Sequence, residues 1–380
     1  MNETRLTYSD LEEELRDNVA RLLSSREDLP ALIVAMEEAP PFDESLWKSL
    51  DDEMGLAALI VPDDAGGSGA GPHELGVVME EIGRHLAPVP YLGHAALACG
   101  LVTDASVACG IAKTVVTSTP AALAVPFSRG WTDPFPATVR WRDGRLDGTV
   151  PLVVDASHAS VVLVPALGTD GPVIVATDAA TVGRTPVTTL DLTRDLTDVS
   201  LDEVPGEVVA EGEDAVQRLT RATQLATVAL ACEQLGVAQR ALDLSVEHAG
   251  TRVQFGRPIG SFQAVKHRLA EAWAEVTQAR AVVRYAVDCL ARQDDIPIAV
   301  ALASSVCSAT AVSVAETCLQ IHGGVGFSWE HPAHLYVKRA KSNSLAFGPA
   351  DAHLDVIAEH ANLPAPVADP PDPCRKEQAS

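Results

Sequence analysis

The segment Arg252-Val-Gln-Phe-Gly-Arg-Pro-Ile-Gly-Ser-Phe-Gln263 holds the densest chemistry in this chain, and Gln320-Ile-His-Gly-Gly-Val-Gly326 is its companion. Both interrupt long stretches rich in Ala, Leu and Val. Arg252 offers a planar guanidinium that can hold phosphate oxygens through paired hydrogen bonds. Gln254, Gln263 and Gln320 add uncharged hydrogen-bonding groups, and Phe255 adds an apolar surface. Gly323 and Gly324 let a backbone approach a ligand closely. A phosphate-bearing ligand is the chemistry these types suit when they sit at helix breaks.

Other reactive side chains read more plainly. Glu233, Glu247, Glu330 and Asp351 are carboxylates near these segments and are candidate proton acceptors. His322 and His331 flank the glycine turn without metal-ligand spacing, and read as packing or loop histidines. Lys338-Arg339-Ala-Lys341 is the local basic cluster; it reads as a solvated helix face that could also meet a CoA phosphate. The net charge is −24, from 28 Lys and Arg against 52 Asp and Glu. That balance excludes nucleic acid or an anionic membrane as the main partner. The 7 cysteines form no CxxC pair. Cys232, Cys289, Cys307 and Cys318 lie in apolar helical patterns, where Cys acts as a small hydrophobe. With no signal peptide in view, a reducing cytoplasm is expected. No uninterrupted apolar run reaches the roughly 18–20 residues a membrane span needs.

The elements that must position these groups fall into three segments. Residues 1–115 read as helical: Thr7-Tyr-Ser-Asp-Leu-Glu opens with capping and acidic residues, and Leu11, Leu15, Val19 and Leu22 follow at helical spacing. A loop at Asp64-Ala-Gly-Gly-Ser-Gly69 precedes an amphipathic helix over 74–86. Residues 116–211 carry short β-branched runs at 137–141, 160–165 and 173–176, separated by turn residues with no helical pattern between them. An antiparallel sheet or barrel follows. Residues 212–362 return to helix, with candidates at 214–249, 262–292, 297–321, 332–345 and 350–361. Residues 363–380 are rich in Pro and charge and read as a disordered tail. The fold class is α+β.

The pattern Arg-x-x-Phe-Gly-x-x-x-x-x-x-Gln followed by Gln-x-x-Gly-Gly-x-Gly resembles the C-terminal half of acyl-CoA dehydrogenases. The loop at 64–69, Glu80-Glu-Ile-Gly83 and Ala87-Pro-Val-Pro90 resemble the N-terminal domain of the same family. The resemblance implies a helical domain, a middle antiparallel β domain and a helical bundle. It implies FAD-dependent α,β-desaturation of an acyl-CoA thioester, with electron-transfer flavoprotein as the acceptor. By the same resemblance, Arg252, Gln254, Phe255, Gln263, Gln320, Gly323 and Gly324 grip the ADP half of an FAD that belongs to the neighbouring subunit.

The chain also departs from the family pattern. In the family, the α-proton is taken by a glutamate in one of two places. Laid on that pattern, the first is Phe347, in Ala346-Phe-Gly-Pro349, and the second is Ala226, followed by Thr227. Neither Phe nor Ala accepts a proton. The β-domain loop and Trp-x-Thr strand that hold the isoalloxazine ring are replaced by Ala122-Leu-Ala-Val-Pro-Phe-Ser-Arg-Gly-Trp131 and by Val153-Val-Asp155. The leading expectation is a subunit of a heteromeric acyl-CoA dehydrogenase, without a base of its own, sharing FAD with a paralogous catalytic chain. One alternative is a self-sufficient homo-oligomer with its base relocated to Glu233, Glu247 or Asp351. Another is a non-redox acyl-CoA lyase, hydratase or binding protein on the same scaffold.

Overall fold

The structure is a computed structural model and describes residues 5–38, 41–103, 115, 119–136 and 138–361. The 363–380 tail, Cys109 and Cys374 therefore lie outside the described residues. The chain opens with α1 (Asp10–Arg26), α2 (Leu29–Glu38) and α3 (Glu44–Lys48), then α4 (Pro72–His85) and a π-helical turn at Leu92–Ala98 that runs into α5 (Cys99–Val102). Ser9 and Glu12 form a reciprocal capping box at the start of α1, so the polar opening of the sequence satisfies the first free N–H groups. Within α1 the buried stripe is Val19 and Leu23, while Leu11 is exposed. The stripe follows the face that meets α4 rather than the first leucine of the run.

The middle segment holds β1 (Ala121–Leu123), β2 (Val139–Arg142), β3 (Arg145–Val154), β4 (Val161–Gly168), β5 (Gly171–Asp178), β6 (Gly183–Pro186), β7 (Leu196–Pro205) and β8 (Glu207–Glu211). The sheet order is β6-β7-β3-β2-β4-β5-β8, with β1 beside β4. All pairs are antiparallel except two: β4 runs parallel to both β1 and β2. The strands β7 and β8 are hard to read in sequence because bulges break their alternation: the burial pattern of β7 is irregular, β3 shifts register against it twice, and β5 shifts once against β8. One face of the sheet buries its own cluster, including Val139, Leu146, Val150, Val162 and Val175. The other face joins the helical core through Leu123, Val125, Phe127 and Ile174.

The C-terminal helices are α6 (Gly212–Thr251), α7 (Gln263–Arg292), α8 (Ile296–His322), α9 (Ala333–Asn343) and α10 (Ala350–His360), with a small hairpin β9 (Val253–Gln254) and β10 (Arg257–Pro258) between α6 and α7. Helices α4 and α6 cross where neither can carry a side chain. A Cβ at Gly236 would sit 1.9 Å from the Glu80 carbonyl oxygen, and one at Gly83 would sit 2.1 Å from that of Glu233. These two glycines fix how close α6 lies to the N-terminal helices, and so where the residues on its face point. The stretch Ile296–Phe327 is long and apolar enough to cross a membrane, but more than half of its apolar window is buried inside the protein. It packs as a core helix against α6 and α7.

Candidate functional site

The β domain and the turn after α9 meet in direct contact at Phe347. Phe347 is buried and donates its backbone N–H to the carbonyl of Phe127 at 2.8 Å. The two rings meet edge to face with centroids 5.7 Å apart. Phe347 has φ 52, unusual for a bulky side chain, and Gly348 beside it has φ 108. This turn lies against the β-domain loop: a Cβ at Gly130 would meet the Phe347 carbonyl at 3.5 Å. The second family position, Ala226, is fully buried, and Thr227 spends its hydroxyl on the Thr223 carbonyl at 2.7 Å. An apolar pair therefore occupies one of the two positions where the resemblance expects a proton acceptor, and a fully buried alanine the other.

Where the Trp-x-Thr strand would cradle a ring, Asp155 is buried and accepts the Gly93 N–H at 2.8 Å. A Cβ at Gly93 would sit 2.8 Å from the Asp155 Cβ, so the strand end and the Leu92–Ala98 turn are in close contact. Burial pushes the Asp155 carboxyl up to about 7, against the pull of Arg194. Phe127 carries the Arg194 guanidinium 5.6 Å from its ring centre. The Asp155 carboxyl is thus spent on the Gly93 backbone, where the resemblance expects groups that meet a flavin ring.

Glu233, first among the candidate relocated bases, is buried and has one carboxylate oxygen shared by three donors. Its Oε1 pairs with Arg194, with Arg339 Nη1 at 2.9 Å and with Asn343 Nδ2 at 2.9 Å. Burial raises its carboxyl, but Arg194 and Arg339 outweigh burial and hold it at about 2. A carboxylate that acidic, with its oxygen already shared by two guanidinium groups, is a poor proton acceptor. Glu247, Glu330 and Asp351 are exposed.

The reading of Lys338-Arg339-Ala-Lys341 as a solvated face needs correction. Arg339 is buried, with Asp191 at 2.6 Å and the Thr193 carbonyl at 2.9 Å as further partners. It ties the loop before β7 to α6 and α9, which no local pattern could reveal. Lys338 and Lys341 keep the helix surface, Lys338 over the Trp329 ring at 4.3 Å and Lys341 with Glu316 at 2.8 Å.

The expected ADP-gripping residues have a different character. Arg252, Gln254, Gln263 and Gln320 are exposed, and Phe255 is 92% exposed with φ 52. Arg252 makes no ion pair or side-chain hydrogen bond among the described residues. A Cβ at Gly323 or Gly324 would meet nothing within 4 Å. Gly323 needs glycine for its φ of 60, while among the described residues no neighbour requires one at Gly324. The ends of α6 and α8 are brought together by their histidines, His248 and His322, whose rings lie 4.3 Å apart. His322 and His331 do pack at the glycine turn, as read. Among the described residues no cluster of His, Cys, Asp and Glu could hold a metal, and Cys99, Cys232, Cys289, Cys307 and Cys318 are free and buried.

Fold and segments together define an acyl-CoA dehydrogenase scaffold: an N-terminal helical part, a β sheet and a C-terminal bundle. The acyl-CoA dehydrogenase N-terminal domain model matches residues 9–107, and the acyl-CoA dehydrogenase C-terminal domain model matches residues 209–362. The chain belongs to the acyl-CoA dehydrogenase family. It is 34% identical over 350 residues to acyl-CoA dehydrogenase IpdE2 of Mycolicibacterium smegmatis, covering 91% of this chain and 97% of that one. Among solved structures it is similar to the ChsE4-ChsE5 complex from Mycobacterium tuberculosis, with TM-score 0.83, 29% identity, and coverage of 95% of this chain and 100% of the other. It is also similar to a variant of the Tcur3481-Tcur3483 steroid ACAD, with TM-score 0.80, 28% identity, and coverage of 93% and 99%.

Proposed function

We propose that this chain is the subunit without a catalytic base in a two-component acyl-CoA dehydrogenase, and that it holds the ADP part of an FAD whose ring and base belong to a paralogous partner. The observation that carries this is the contrast between its two half-sites. The cleft that would need a proton acceptor is closed by Phe127 and Phe347, while Arg252, Gln254, Phe255, Gln263, Gln320, Gly323 and Gly324 stand open. Exposed apolar groups lie in the same segments: Val253 and Phe255 in one, Val325 and Phe327 in the other. Such groups favour a covering chain.

In the assembled enzyme FAD supplies the hydride acceptor for desaturation of the thioester. This chain's residues would bind and orient: Arg252 as the cation for pyrophosphate oxygens, the glycine turn as backbone donors, and the glutamines as neutral hydrogen-bonding groups. The similarity to two-chain complexes and to a steroid enzyme supports a paralogous partner and a bulky acyl-CoA substrate. An electron-transfer flavoprotein is the expected acceptor and the cytoplasm the expected location. No observation favours a relocated base or a non-redox activity.

The test is expression of the chain alone and together with its paralogue. The pair should form a yellow complex with a single FAD for each two unlike chains and should oxidise acyl-CoA. Full FAD occupancy and acyl-CoA oxidation by this chain purified alone would overturn the proposal.

A further inference from the structure

Near the Gly323–Gly324 turn lies a row of imidazoles that the proposed cofactor grip does not use. His248 sits in the last turn of α6, and its carbonyl accepts the Arg252 N–H at 2.8 Å. Its ring is 4.3 Å from that of His322, the last residue of α8, and His322 is 4.5 Å from His331 on the other side. The row thus joins the segment carrying Arg252 to the segment carrying the two glycines.

Hydrogen bonds assign where the protons sit. His322 Nδ1 lies 2.8 Å from the Cys318 carbonyl, which can only accept, so Nδ1 carries the hydrogen. His331 is the reverse: its Nδ1 accepts the Ala333 N–H at 3.2 Å, a donor at the first turn of α9. Protonating that nitrogen would break the bond, whereas among the described residues the His248 ring makes no hydrogen bond that a proton would break.

The surrounding charges are one-sided. Burial, His322 and Arg252 hold His248 below its ordinary value. Burial, His322, His248 and His334 do the same to His331. Facing the row are Arg252 from α6, Cys318 from α8, with its sulfur 3.6 Å from His322 Nδ1, and His334 from α9, itself under the influence of Lys338. None of the groups acting on His248 or His331 is a carboxylate, in a chain of net charge −24. A second cation is disfavoured there until an anion arrives, and a pyrophosphate beside Arg252 would reverse that balance.

We propose that binding of a pyrophosphate-bearing ligand at Arg252 and the Gly323–Gly324 turn is coupled to uptake of a proton by His248, the ring of the row next to Arg252, so that the grip strengthens as pH falls. The inference rests on the reading that this surface holds the ADP part of the cofactor. The sign follows from linkage: ligand binding raises the imidazole pKa, so affinity is greater below the bound-state value and the gain disappears above it. A rise of one unit makes the limiting effect about tenfold.

The full-length chain should be titrated calorimetrically with ADP-ribose, a pyrophosphate diester whose charge does not change in this range, at about pH 6 and about pH 8 in buffers of differing ionisation enthalpy. Binding should be about three- to fivefold tighter at the lower pH, with net proton uptake between the two. His248→Gln should reduce that uptake, whatever it does to affinity, while Arg252→Ala should weaken binding at both pH values. Equal affinity with no buffer-dependent heat would overturn the coupling and leave the cofactor reading standing. So would unchanged uptake in His248→Gln. No ADP-ribose binding at either pH would remove the cofactor reading and this inference with it.

Discussion

Phe347 and Phe127 hold each other across the cleft by a 2.8 Å backbone hydrogen bond and an edge-to-face ring contact at 5.7 Å. One belongs to the turn after α9 and the other to the loop after β1. The pair joins the turn after α9 to the β-domain loop at a position where the resemblance expects a proton acceptor, and it sets the first expectation.

Phe347→Ala should cost about 3–4 kcal/mol of stability, because it empties a fully buried aromatic site that the turn cannot fill. Phe347→Glu should cost at least as much and still give no dehydrogenase activity in the assembled complex, since the carboxylate would be buried against Phe127 without a partner. Urea denaturation followed by an acyl-CoA oxidation assay reads both. A stable, newly active Phe347→Glu complex would contradict the closed cleft.

Arg252→Ala and Phe255→Ala should change stability by less than about 0.5 kcal/mol, as both side chains are exposed and make no packing contribution to the core. In the complex with the paralogue, however, Arg252→Ala should lower the FAD retained after gel filtration. Flavin absorbance per protein, compared with the melting temperature, separates the two effects.

Glu233→Gln should destabilise by roughly 3–5 kcal/mol, because Arg194 and Arg339 would be left buried without their shared carboxylate. The pH profile gives a second check. Its folded value, about 2, lies below the ordinary 4.5, so its contribution is present above that ordinary value and is lost as pH falls from there toward about 2. If Glu233 were instead the base, Glu233→Gln would fold normally and lose only flavin bleaching by substrate.

Asp155 works in the opposite direction. Its folded value of about 7 lies above the ordinary 3.8, so stability is full below 3.8 and declines as pH rises toward 7. Asp155→Asn should therefore stabilise the protein more at pH above this window than below it, by an order of a few kcal/mol. Denaturation midpoints measured on both sides of the window test this; equal effects at the two ends would place the carboxyl in a wetter setting.

The local sequence determined much of this protein. Helix limits in the C-terminal half followed from periodicity and from the Gly and Pro breaks: 262–292 and 297–321 in the sequence became Gln263–Arg292 and Ile296–His322. The Arg252–Gln263 and Gln320–Gly326 segments were recognisable because their spacing lies within short runs of chain. The absence of Glu at 347 and 226 could be read from residue type alone.

What only the tertiary structure decided were the long-range encounters. Arg339 looked like one cation of an exposed basic cluster, yet Asp191 and Glu233, far away in sequence, draw it into the interior. His248, His322 and His331 come from different elements, so no spacing rule could announce their contact. The same holds for the parallel partners of β4 and for the Phe127–Phe347 closure. Periodicity and turn chemistry are properties of neighbouring residues, and they fix elements. Which side chains meet depends on how those elements pack, and here Gly83 and Gly236 set that packing by letting two helices touch backbone to backbone.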